Sequence, residues 1–587
     1  MSTHCTLQLE INGVQASTPL IEDILQVSIE ESLHTPSMFV IIIRNDYFPS
    51  GQEEPSWKHQ DLMEIGKEIK LGFQAEGNQY LSTQEDDGGY IFEGEITAIE
   101  THFTEQSQAP IVIRGYDVSH RLHRGRWNRS FQNMTDSDVV KKIAKEVGIN
   151  LGIIDSSGTS HDYLFQQNQT NMEFLRGRAA SLGFELFVSN GKLNFKKPRE
   201  DQTLKLKWLK DISTFRVRIT SAEQVKEVEV RAWDYKSKKP IISRVNRSEV
   251  LTETDNGRGS EFSSPFKGKP KNPIMRIVDR PVSSPKEASV MAQALFDELS
   301  SQFIYADAKA EGNTAIRPGR IIELENMGSH NGKYYVTETQ HNYFESLYET
   351  EFSVRGLRDN NLLSTLTSSH HLLPSQTCII GIVTNNSDPE RLNRCKVKFP
   401  SLTEDHESQW ARVVGTGAGS GRGLDWLPEI DDEVLVAFEH GDIHRPYILG
   451  SVWNGVDSPS EDIDDSVVDG KVRLRSIKTT SGHQIQFIEE DKGSSHSGIK
   501  VSTNLGNKIS IDDTESAITI ETKNGQKIQV NDSEQSIHIS SLGNLNIQAM
   551  KGIKLESTTG VIEINELGVS ITTPATIRIN GGLIQLN

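Results

Sequence analysis

Short apolar pairs recur at regular intervals through the C-terminal part of the chain. Polar residues and turn formers such as Gly, Asn and Asp separate the pairs, and the intervals run from seven to ten residues. A strand this short buries too little apolar surface to stay folded alone, so the repeat constrains the fold more than any other feature. Ten pairs follow one another to the end of the chain: Ile509/Ile511, Ile518/Ile520, Ile528/Val530, Ile537/Ile539, Leu545/Ile547, Ile553/Leu555, Ile562/Ile564, Val569/Ile571, Ile577/Ile579 and Ile584/Leu586.

The repeat predicts a homotrimer. Two apolar residues separated by one polar residue point to the same face of a strand, so each repeat supplies one inward patch. Each repeat is too short to pass around the three faces of a single-chain β-helix. Three identical chains wound around one axis, each giving a strand to a face before passing to the next, would join all patches in one apolar centre. A β-solenoid within one chain, or a β-sandwich, is the alternative.

We therefore expect an intertwined triple-stranded β-helix, or β-prism, over residues 476–587. With strands about 4.8 Å apart, about ten strands per chain predict a stiff rod on the order of 50 Å long. The predicted trimer core consists of Ile509, Ile511, Ile518, Ile520, Ile528, Val530, Ile537, Ile539, Ile553, Leu555, Ile562, Ile564, Ile577 and Ile579.

Composition and charge exclude several classes of function. The 587 residues are 35% hydrophobic and 24% charged, which is ordinary for a globular chain of several domains. The net charge of −19 argues against a general nucleic-acid binder. Cys5, Cys378 and Cys395 lack metal-type spacing, which predicts reduced thiols. Because the N-terminus does not resemble a signal peptide, we expect synthesis and assembly in the cytoplasm, as part of a particle that is released or fired across an envelope.

Residues 1 to about 370 combine strands with a few helices. The segments "DILQVSIEESL", "SMFVIIIRND" and "YIFEGEITAIETHF" read as strands. Helices are predicted in "TDSDVVKKIAKEVG", in "NMEFLRGRAASLG" and in "SPKEASVMAQALFDEL", where Ser284 caps, Pro285 suits the first turn and Glu287 completes a capping box. The helices do not alternate regularly with the strands, which favours an α+β half.

Composition divides the rest of the chain. The segment "SSHHLLPSQT" (368–377) is typical of a boundary, and short strands with Gly and Pro turns follow, as in a small β-barrel. The acidic, Ser-rich stretch "VDSPSEDIDDSVVDG" is typical of a linker. The predicted domains are 1–370, 376–456 for the barrel, 457–475 for an acidic neck and 476–587 for the needle.

The barrel sequence resembles a known family. "GIVTNNSDPERLNRCKVKFPSL" and "SQWARVVGTGAGSGRGLDWLPEIDDEVLVAFEHGDIHRPYILGSVWNG" are similar to the OB-fold domain of VgrG-type spike proteins of contractile injection systems. Upstream, "EESLHTPSMFVIIIRND", "IFEGEITAIE", "GYDVSHRLHRGRWNRSFQNMTDSDVVKKIA" and "EFLRGRAASLGFELFVSNGKLNF" resemble the hub half of the same proteins. These sequence segments are more similar to the spikes of phage-tail-like extracellular systems than to those of type VI secretion.

The resemblance implies a function. In the family a homotrimeric hub forms a pseudo-sixfold ring, meets Hcp-like inner-tube and baseplate proteins, and carries a needle that pierces the target envelope on sheath contraction. An apolar end at Ile584, Gln585, Leu586 and Asn587 would bind a PAAR-type cap, and effector cargo is a further expected partner. One departure is Asn393, where the family usually has glycine; because Asn tolerates a left-handed conformation, we expect the turn to survive.

Motifs that suggest chemistry have plainer interpretations. "GTGAGSGRG" (415–423) does not open onto a helix, as a phosphate loop requires, and Ser420 lacks the nucleophile-elbow pattern. "HGDIH" (440–444) suggests a metal site but reads as a turn, and His538 as a solvent-facing side chain. The neck carboxylates Asp462, Asp464, Asp465 and Asp469 lack EF-hand spacing, and the neighbours Glu489 and Glu490 point to opposite sides of a strand.

We therefore predict a structural protein with no catalytic residue, cofactor or metal site. The alternative from another functional class is a receptor-binding or glycan-cleaving protein of the tail-fibre type, since trimeric β-prisms occur there too. The barrel and the hub, together with the lack of aromatic platforms along the repeat, favour the spike.

Overall fold

The computed structural model describes residues 3–46, 57–75, 89–102, 110–263, 270–280, 282, 284–357 and 376–585. The chain divides into two compact units, Met1–Val456 and Asp457–Asn587. Most of the predicted boundary segment 368–377 lies outside the described residues, so the finer domain limits stay a prediction.

The first unit begins with an antiparallel sheet. Alternating apolar residues such as Ile29, Phe39 and Ile69 are fully buried and form its core. Strands β3, β4, β7, β6, β5 and β1 lie side by side in this order, and β2 pairs with β1. The elements are β1 (Thr3–Ile11), β2 (Val14–Gln15), α1 (Thr18–Asp23), β3 (Ile24–Ser32), β4 (Met38–Ile43), β5 (Glu68–Ala75), β6 (Tyr90–Glu100) and β7 (Ile111–Asp117).

An α+β segment follows. Its two helices bury apolar side chains such as Val140 and Leu175 against a small sheet. Strand β10 pairs with β8, and β12 lies between β11 and β9. The elements are β8 (Trp127–Met134), α2 (Asp136–Glu146), β9 (Asn150–Ile154), β10 (His161–Gln169), α3 (Asn171–Leu182), β11 (Glu185–Ser189) and β12 (Lys192–Lys196).

The next segment completes the first sheet. Strand β22 pairs with β3, and β23 pairs with both β22 and β1, so eight strands close into a ring; β19 and β14 extend it from β23. The remaining strands form the sheets β16-β15-β18 and β13-β20-β21-β17. The elements are β13 (Thr203–Lys207), β14 (Ile212–Ile219), β15 (Glu227–Asp234), β16 (Lys239–Val245), β17 (Glu253–Thr254), β18 (Ile274–Ile277), α4 (Pro285–Ser301), β19 (Ile304–Glu311), β20 (Ile321–Glu325), β21 (Gly332–Tyr335), β22 (Glu338–Phe344) and β23 (Leu347–Val354).

A closed five-stranded barrel ends the first unit. Its strand order is β24-β25-β26-β28-β27, and Cys395, Val397 and Val436 lie in its core. Asn393 has φ +54°, so the predicted left-handed turn is confirmed. The strands are β24 (Ile379–Asn385), β25 (Arg394–Lys398), β26 (Ala411–Val413), β27 (Glu433–Phe438) and β28 (Pro446–Ser451).

The second unit contains short strands throughout. After a one-turn helix at Ile463–Ser466 and the pair β29–β30 come a seven-stranded sheet, β31 to β37, and a three-stranded sheet, β38 to β40. The strands are β29 (Val467–Val468), β30 (Lys471–Val472), β31 (Leu474–Lys478), β32 (Gln484–Ile488), β33 (Gly498–Ser502), β34 (Lys508–Asp512), β35 (Ala517–Glu521), β36 (Lys527–Asn531), β37 (Ser536–Ser540), β38 (Gly552–Ser557), β39 (Gly560–Asn565) and β40 (Gly568–Thr572).

The fold class is mainly β with an α+β N-terminal half and an OB barrel, as predicted. The three predicted helices are present. The Ser284 hydroxyl accepts a hydrogen bond from the Glu287 N–H at 3.2 Å, which confirms the cap of α4. Within the described helices, none is long and apolar enough to cross a membrane.

Candidate functional site

Two apolar columns cross the seven-stranded sheet. Each column takes one residue from every strand, and neighbours in a column sit directly opposite each other in the antiparallel register. Cross-strand neighbours of this kind have Cβ atoms about 5 Å apart, so each column is continuous. The first column is Ile477, Ile485, Val501, Ile509, Ile520, Ile528 and Ile539. The second begins at the charged Arg475 and continues with the apolar residues Phe487, Ile499, Ile511, Ile518, Val530 and Ile537.

These columns face outward in the single chain. The eight predicted core residues on this sheet are exposed by 40% at Ile511 to 70% at Ile537, whereas Ile29 and Ile41 of the ring sheet are fully buried. A soluble protein rarely leaves a continuous apolar stripe of this size uncovered, and such stripes mark contact surfaces. We call the two columns together the apolar face.

The opposite face of the sheet is polar. Its central column is Ser476, Gln486, Lys500, Ser510, Thr519, Gln529 and His538. His538 is exposed and lies opposite Gln529, so it sits on the polar face, as predicted. The sheet is therefore amphipathic, with one face suited to solvent and the other to a partner.

The three-stranded sheet repeats this design. Ile553, Ile564 and Val569 form one column, and Leu555, Ile562 and Ile571 form the other. Other predicted positions do not lie in strands: Ile577 and Ile579 are 48% and 62% exposed, and Leu545 and Ile547 lie between the sheets. Of the predicted tip residues, Ile584 and Gln585 are exposed, and Leu586 and Asn587 lie outside the described residues.

The strand pairing differs from the expectation. Consecutive strands of one chain pair with each other through hairpins, whereas we predicted that each strand would pair with strands of neighbouring chains. The reason is local: short connections, in the seven-stranded sheet of four or five residues in every case except the nine-residue connection 489–497, bring the next strand back beside the last one. One chain therefore supplies a whole amphipathic sheet rather than separate strands of three faces.

One edge of the sheet is built from repeated Thr-x-x-Gly-x turns. In the turn at 503–507, the Thr503 N–H donates to the Asn507 carbonyl at 3.0 Å, and the Thr503 hydroxyl accepts from the Asn507 N–H at 3.2 Å. The turns at 479–483 and 522–526 make the same bonds. Each has its glycine at φ between +82° and +93°, a conformation that costs other residues steric energy.

The other edge uses a different turn. The Asp512 carboxylate accepts a hydrogen bond from the Glu515 N–H at 2.9 Å, and Asn531 accepts from the Glu534 N–H at the same distance. Alternation of the two turns produces a period of 19 residues, two strands and two turns. The interval of seven to ten residues between the apolar pairs is only half of this period. The upstream strands with Ile485, Phe487 and Ile499 were not among the predicted pairs, although the alternation in "HQIQFIE" and "GIKVS" indicates them.

The acidic segment before the sheet is held by one arginine. Arg473 is only 3% exposed, and its guanidinium donates to the carbonyls of Glu490 at 2.7 Å, Asp465 at 3.0 Å and Ser495 at 3.3 Å. Asp462 caps the one-turn helix through the Asp464 N–H at 2.9 Å. Of the neck carboxylates, Asp462 thus serves local structure, and Asp465 pairs with Lys492 at 2.9 Å.

The other motifs keep their structural interpretation. In the loop 415–423, the Arg422 guanidinium donates to the Gly417 carbonyl at 3.2 Å, and the next regular element is β27, so the loop leads into a strand and not into a helix. In "HGDIH", Asp442 accepts from the His444 N–H at 3.0 Å. Glu489 pairs with Arg475 at 2.9 Å; Glu489 and Glu490 lie in the connection after β32, so their predicted position in a strand is wrong.

Two family descriptions match the chain. Residues 2–345 match the Alg8 N-terminal domain, and residues 379–453 match the type VI secretion system/phage-baseplate injector OB domain. The second match coincides with the closed barrel β24–β28.

Curated relatives are spike proteins. The chain is similar to the type VI secretion system spike protein VgrG1a of Pseudomonas aeruginosa, with 26% identity over 31% of this chain and 31% of the relative. It is also similar to VgrG3 of Vibrio cholerae, with 20% identity over 62% of this chain and 37% of that protein. The match spans about a third of the length of these relatives. Among solved structures, the 43 kDa tail protein of prophage MuSo2 from Shewanella oneidensis aligns with a TM-score of 0.44 and 13% identity, over 60% of this chain and 98% of that one.

Proposed function

The chain belongs to the family described by the Alg8 N-terminal domain and is a VgrG-type spike protein, and from this premise we propose that it is the central spike and baseplate hub of a contractile injection system. In this function the hub part joins the inner tube, and the C-terminal part is a needle that pierces the target envelope when the sheath contracts. The proposal covers both extracellular phage-tail-like and type VI systems.

The apolar face is the observation that carries this proposal. Each strand of the sheet has five residues and points two or fewer apolar side chains to one side, so the face is a narrow stripe about 7 Å from column to column. Two such sheets packed face to face would leave both lateral edges of the stripe open to water. Three sheets arranged as a prism close all edges around one axis, which supports a homotrimer with the predicted core residues inside.

A prism of hydrogen-bonded sheets suits a puncturing needle. Its strands are stacked through backbone hydrogen bonds within each chain, and in the proposed trimer the apolar faces of three chains meet in the interior. Close-packed interiors have low compressibility, so such a rod transmits an axial load without collapsing. The polar outer face, with Ser, Thr, Gln and Lys, keeps the rod soluble.

The partners follow from this role. We propose that Hcp-like tube proteins and baseplate proteins bind the hub part, and that a PAAR-type cap covers the apolar end near Ile584, Gln585, Leu586 and Asn587. Effector cargo would travel with the spike. The chain itself would act mechanically and not as an enzyme, since curated relatives are named spike proteins and the candidate motifs in the described residues serve local structure.

The decisive experiment is the mass of the full-length chain in solution. Light scattering coupled to size exclusion should give three times the chain mass of 65.6 kDa. A single chain or a dimer at micromolar concentration would contradict the prism. Incubation with peptidoglycan and capsular polysaccharides tests the tail-fibre alternative: reproducible cleavage that disappears on one carboxylate substitution would replace the mechanical role by an enzymatic one.

A further inference from the structure

Three side chains with metal-binding atoms meet beside the turn between β34 and β35. Nδ1 of His496 lies 2.9 Å from Oδ2 of Asp512 and 3.7 Å from Oε1 of Glu515. One ligand atom of each residue lies within 4.8 Å of the other two. A tetrahedral Zn²⁺ ion with bonds of about 2.0–2.1 Å needs ligand atoms about 3.3 Å apart, so the observed separations bracket the required one.

The three side chains are partly exposed to solvent, and the Asp512 carboxylate is held in one orientation. The side chain of Asp512 is 15% exposed, that of His496 29% and that of Glu515 57%, so an ion can enter and keep water in a fourth position. Oδ1 of Asp512 accepts from the Glu515 N–H, which orients the carboxylate and leaves Oδ2 toward the imidazole.

A second carboxylate fixes the loop that carries His496. Asp491 accepts from the Ser497 N–H at 2.6 Å and from the Thr514 hydroxyl at 2.8 Å. The first bond closes the loop 489–497 on itself, and the second joins the loop to the turn 513–516. The position of His496 is therefore set by these bonds as well as by its own bond to Asp512.

A comparison with the next repeat shows which features of the turn after β34 the fold requires. Nineteen residues later, Asn531 and Glu534 occupy the positions of Asp512 and Glu515, and the Glu534 N–H donates to Asn531 with the same 2.9 Å distance. An amide thus satisfies this turn as well as a carboxylate. The connection that carries His496, residues 489–497, is longer than the four-residue turns 513–516 and 532–535 on the same edge. The carboxylate and the imidazole are features beyond the requirements of the fold.

We propose that His496, Asp512 and Glu515 bind a divalent transition-metal ion, with Zn²⁺ as the best fit. An imidazole with two carboxylates favours Zn²⁺ and its neighbours in the first transition row over Mg²⁺ or Ca²⁺, which prefer oxygen ligands alone. The sequence carries no metal motif for this set, because the ligands come from the connection 489–497, from the end of β34 and from the turn after it, with His496 and Asp512 16 positions apart. The bound ion would clamp the loop 489–497 to the turn between β34 and β35.

Titration of Co²⁺ into the metal-stripped full-length chain tests this proposal. Co²⁺ replaces Zn²⁺ and gives visible absorption bands that are strong in tetrahedral sites. We expect one saturable site per chain, displaced by Zn²⁺ and not by an equal concentration of Ca²⁺. His496→Ala should remove the bands, and Asp512→Asn should weaken binding by at least about tenfold, the lower limit found even for partners outside the coordination sphere.

Asp512→Asn preserves the turn, because Asn531 makes the same hydrogen bond in the next repeat. Glu534→Gln and His538→Ala are matched controls on the same edge and face, and both should bind Co²⁺ as the unaltered chain does. At the same Zn²⁺ concentration, the melting temperature of the unaltered chain should rise more than that of Asp512→Asn, while the two should melt alike in chelator. The proposal is wrong if the bands are absent, if they persist in His496→Ala, or if Ca²⁺ competes equally with Zn²⁺.

Discussion

Truncation of one apolar-face residue should weaken the trimer strongly, whereas truncation of its neighbour should not. Ile518 lies on the apolar face of β35, and Thr519 follows it on the polar face. Ile518 is 48% exposed in the single chain. Full burial of an isoleucine contributes about 2 kcal/mol, so burial of the remaining half contributes about 1 kcal/mol per chain.

The effect triples in the assembly because each trimer contains three copies. Ile518→Ala should therefore cost about 3 kcal/mol per trimer from lost burial alone, which corresponds to about a hundredfold weaker association. The cavity left at the axis adds to this loss. Thr519→Ala removes another β-branched residue from the same strand, so the loss of strand propensity is matched, and its effect on association should stay within about 0.5 kcal/mol.

Sedimentation equilibrium over a range of concentrations measures the difference. Ile518→Ala should dissociate at concentrations where Thr519→Ala and the unaltered chain remain trimeric. Equal dissociation of the two variants would mean that the two faces contribute alike, and the assignment of the apolar face as the interior would be refuted.

Three further predictions concern the stability of the chain. Arg317, 7% exposed, pairs with buried Glu31 at 2.6 Å. Arg317→Met should therefore cost about 3–5 kcal/mol in urea unfolding, and Glu31→Gln should partly rescue this variant. Arg355, whose side chain is 33% exposed, pairs with Asp307, and Arg355→Met should cost at most about 1 kcal/mol. A rescue that fails would show that packing, not the uncompensated charge, sets the cost. Gly525→Ala places a side chain at φ +82° and should lower the unfolding free energy by about 1 kcal/mol. Gly543→Ala, with open space around its Cβ, should not lower it. Equal melting temperatures of the two variants would show that the left-handed glycine of the turn does not contribute to stability. Burial raises the pKa of Glu95, but hydrogen bonds from Arg121 and His120 outweigh this effect and hold the pKa below 4.5. The ionised Glu95 therefore stabilises the fold above pH 4.5, and this contribution is lost as the pH falls. In a profile of stability against pH, Glu95→Gln should flatten the acid side, and Glu93→Gln should leave it unchanged.

Local signals in the sequence predicted part of this fold. The helix α2 follows from Thr135, from acidic residues in the first turn and from Gly148 after the end; Thr135 caps through the Asp138 N–H and Gly148 has φ +69°. The closure of the eight-stranded ring was not predictable in this way. It depends on β23 pairing with β1 at Thr3 and Tyr348, and no local pattern encodes a partner so far along the chain.

The sequence pattern also did not predict which charged residues are buried. Glu31 occurs in an alternating strand where a charged residue normally faces solvent, yet it is 6% exposed. It is satisfied by Arg317, whose guanidinium also donates to the Ile91 carbonyl at 2.7 Å. His341 lies beside them, fully buried, and burial lowers its pKa to about 3. Such a cluster can be recognised only after the ring has brought these strands together.

The pairing within each chain changes how the needle should assemble. If strands paired only between chains, no sheet could exist before three chains met, and folding and association would be one event. Here the backbone of β31–β37 is already hydrogen-bonded in one chain, with turns that fix its register. The sheet can therefore form first and expose the apolar face, and association then depends on side chains alone. Since the backbone hydrogen bonds lie within one chain, dissociated Ile518→Ala chains should retain all of their β-sheet circular dichroism, whereas an intertwined needle would lose the share that its own strands contribute.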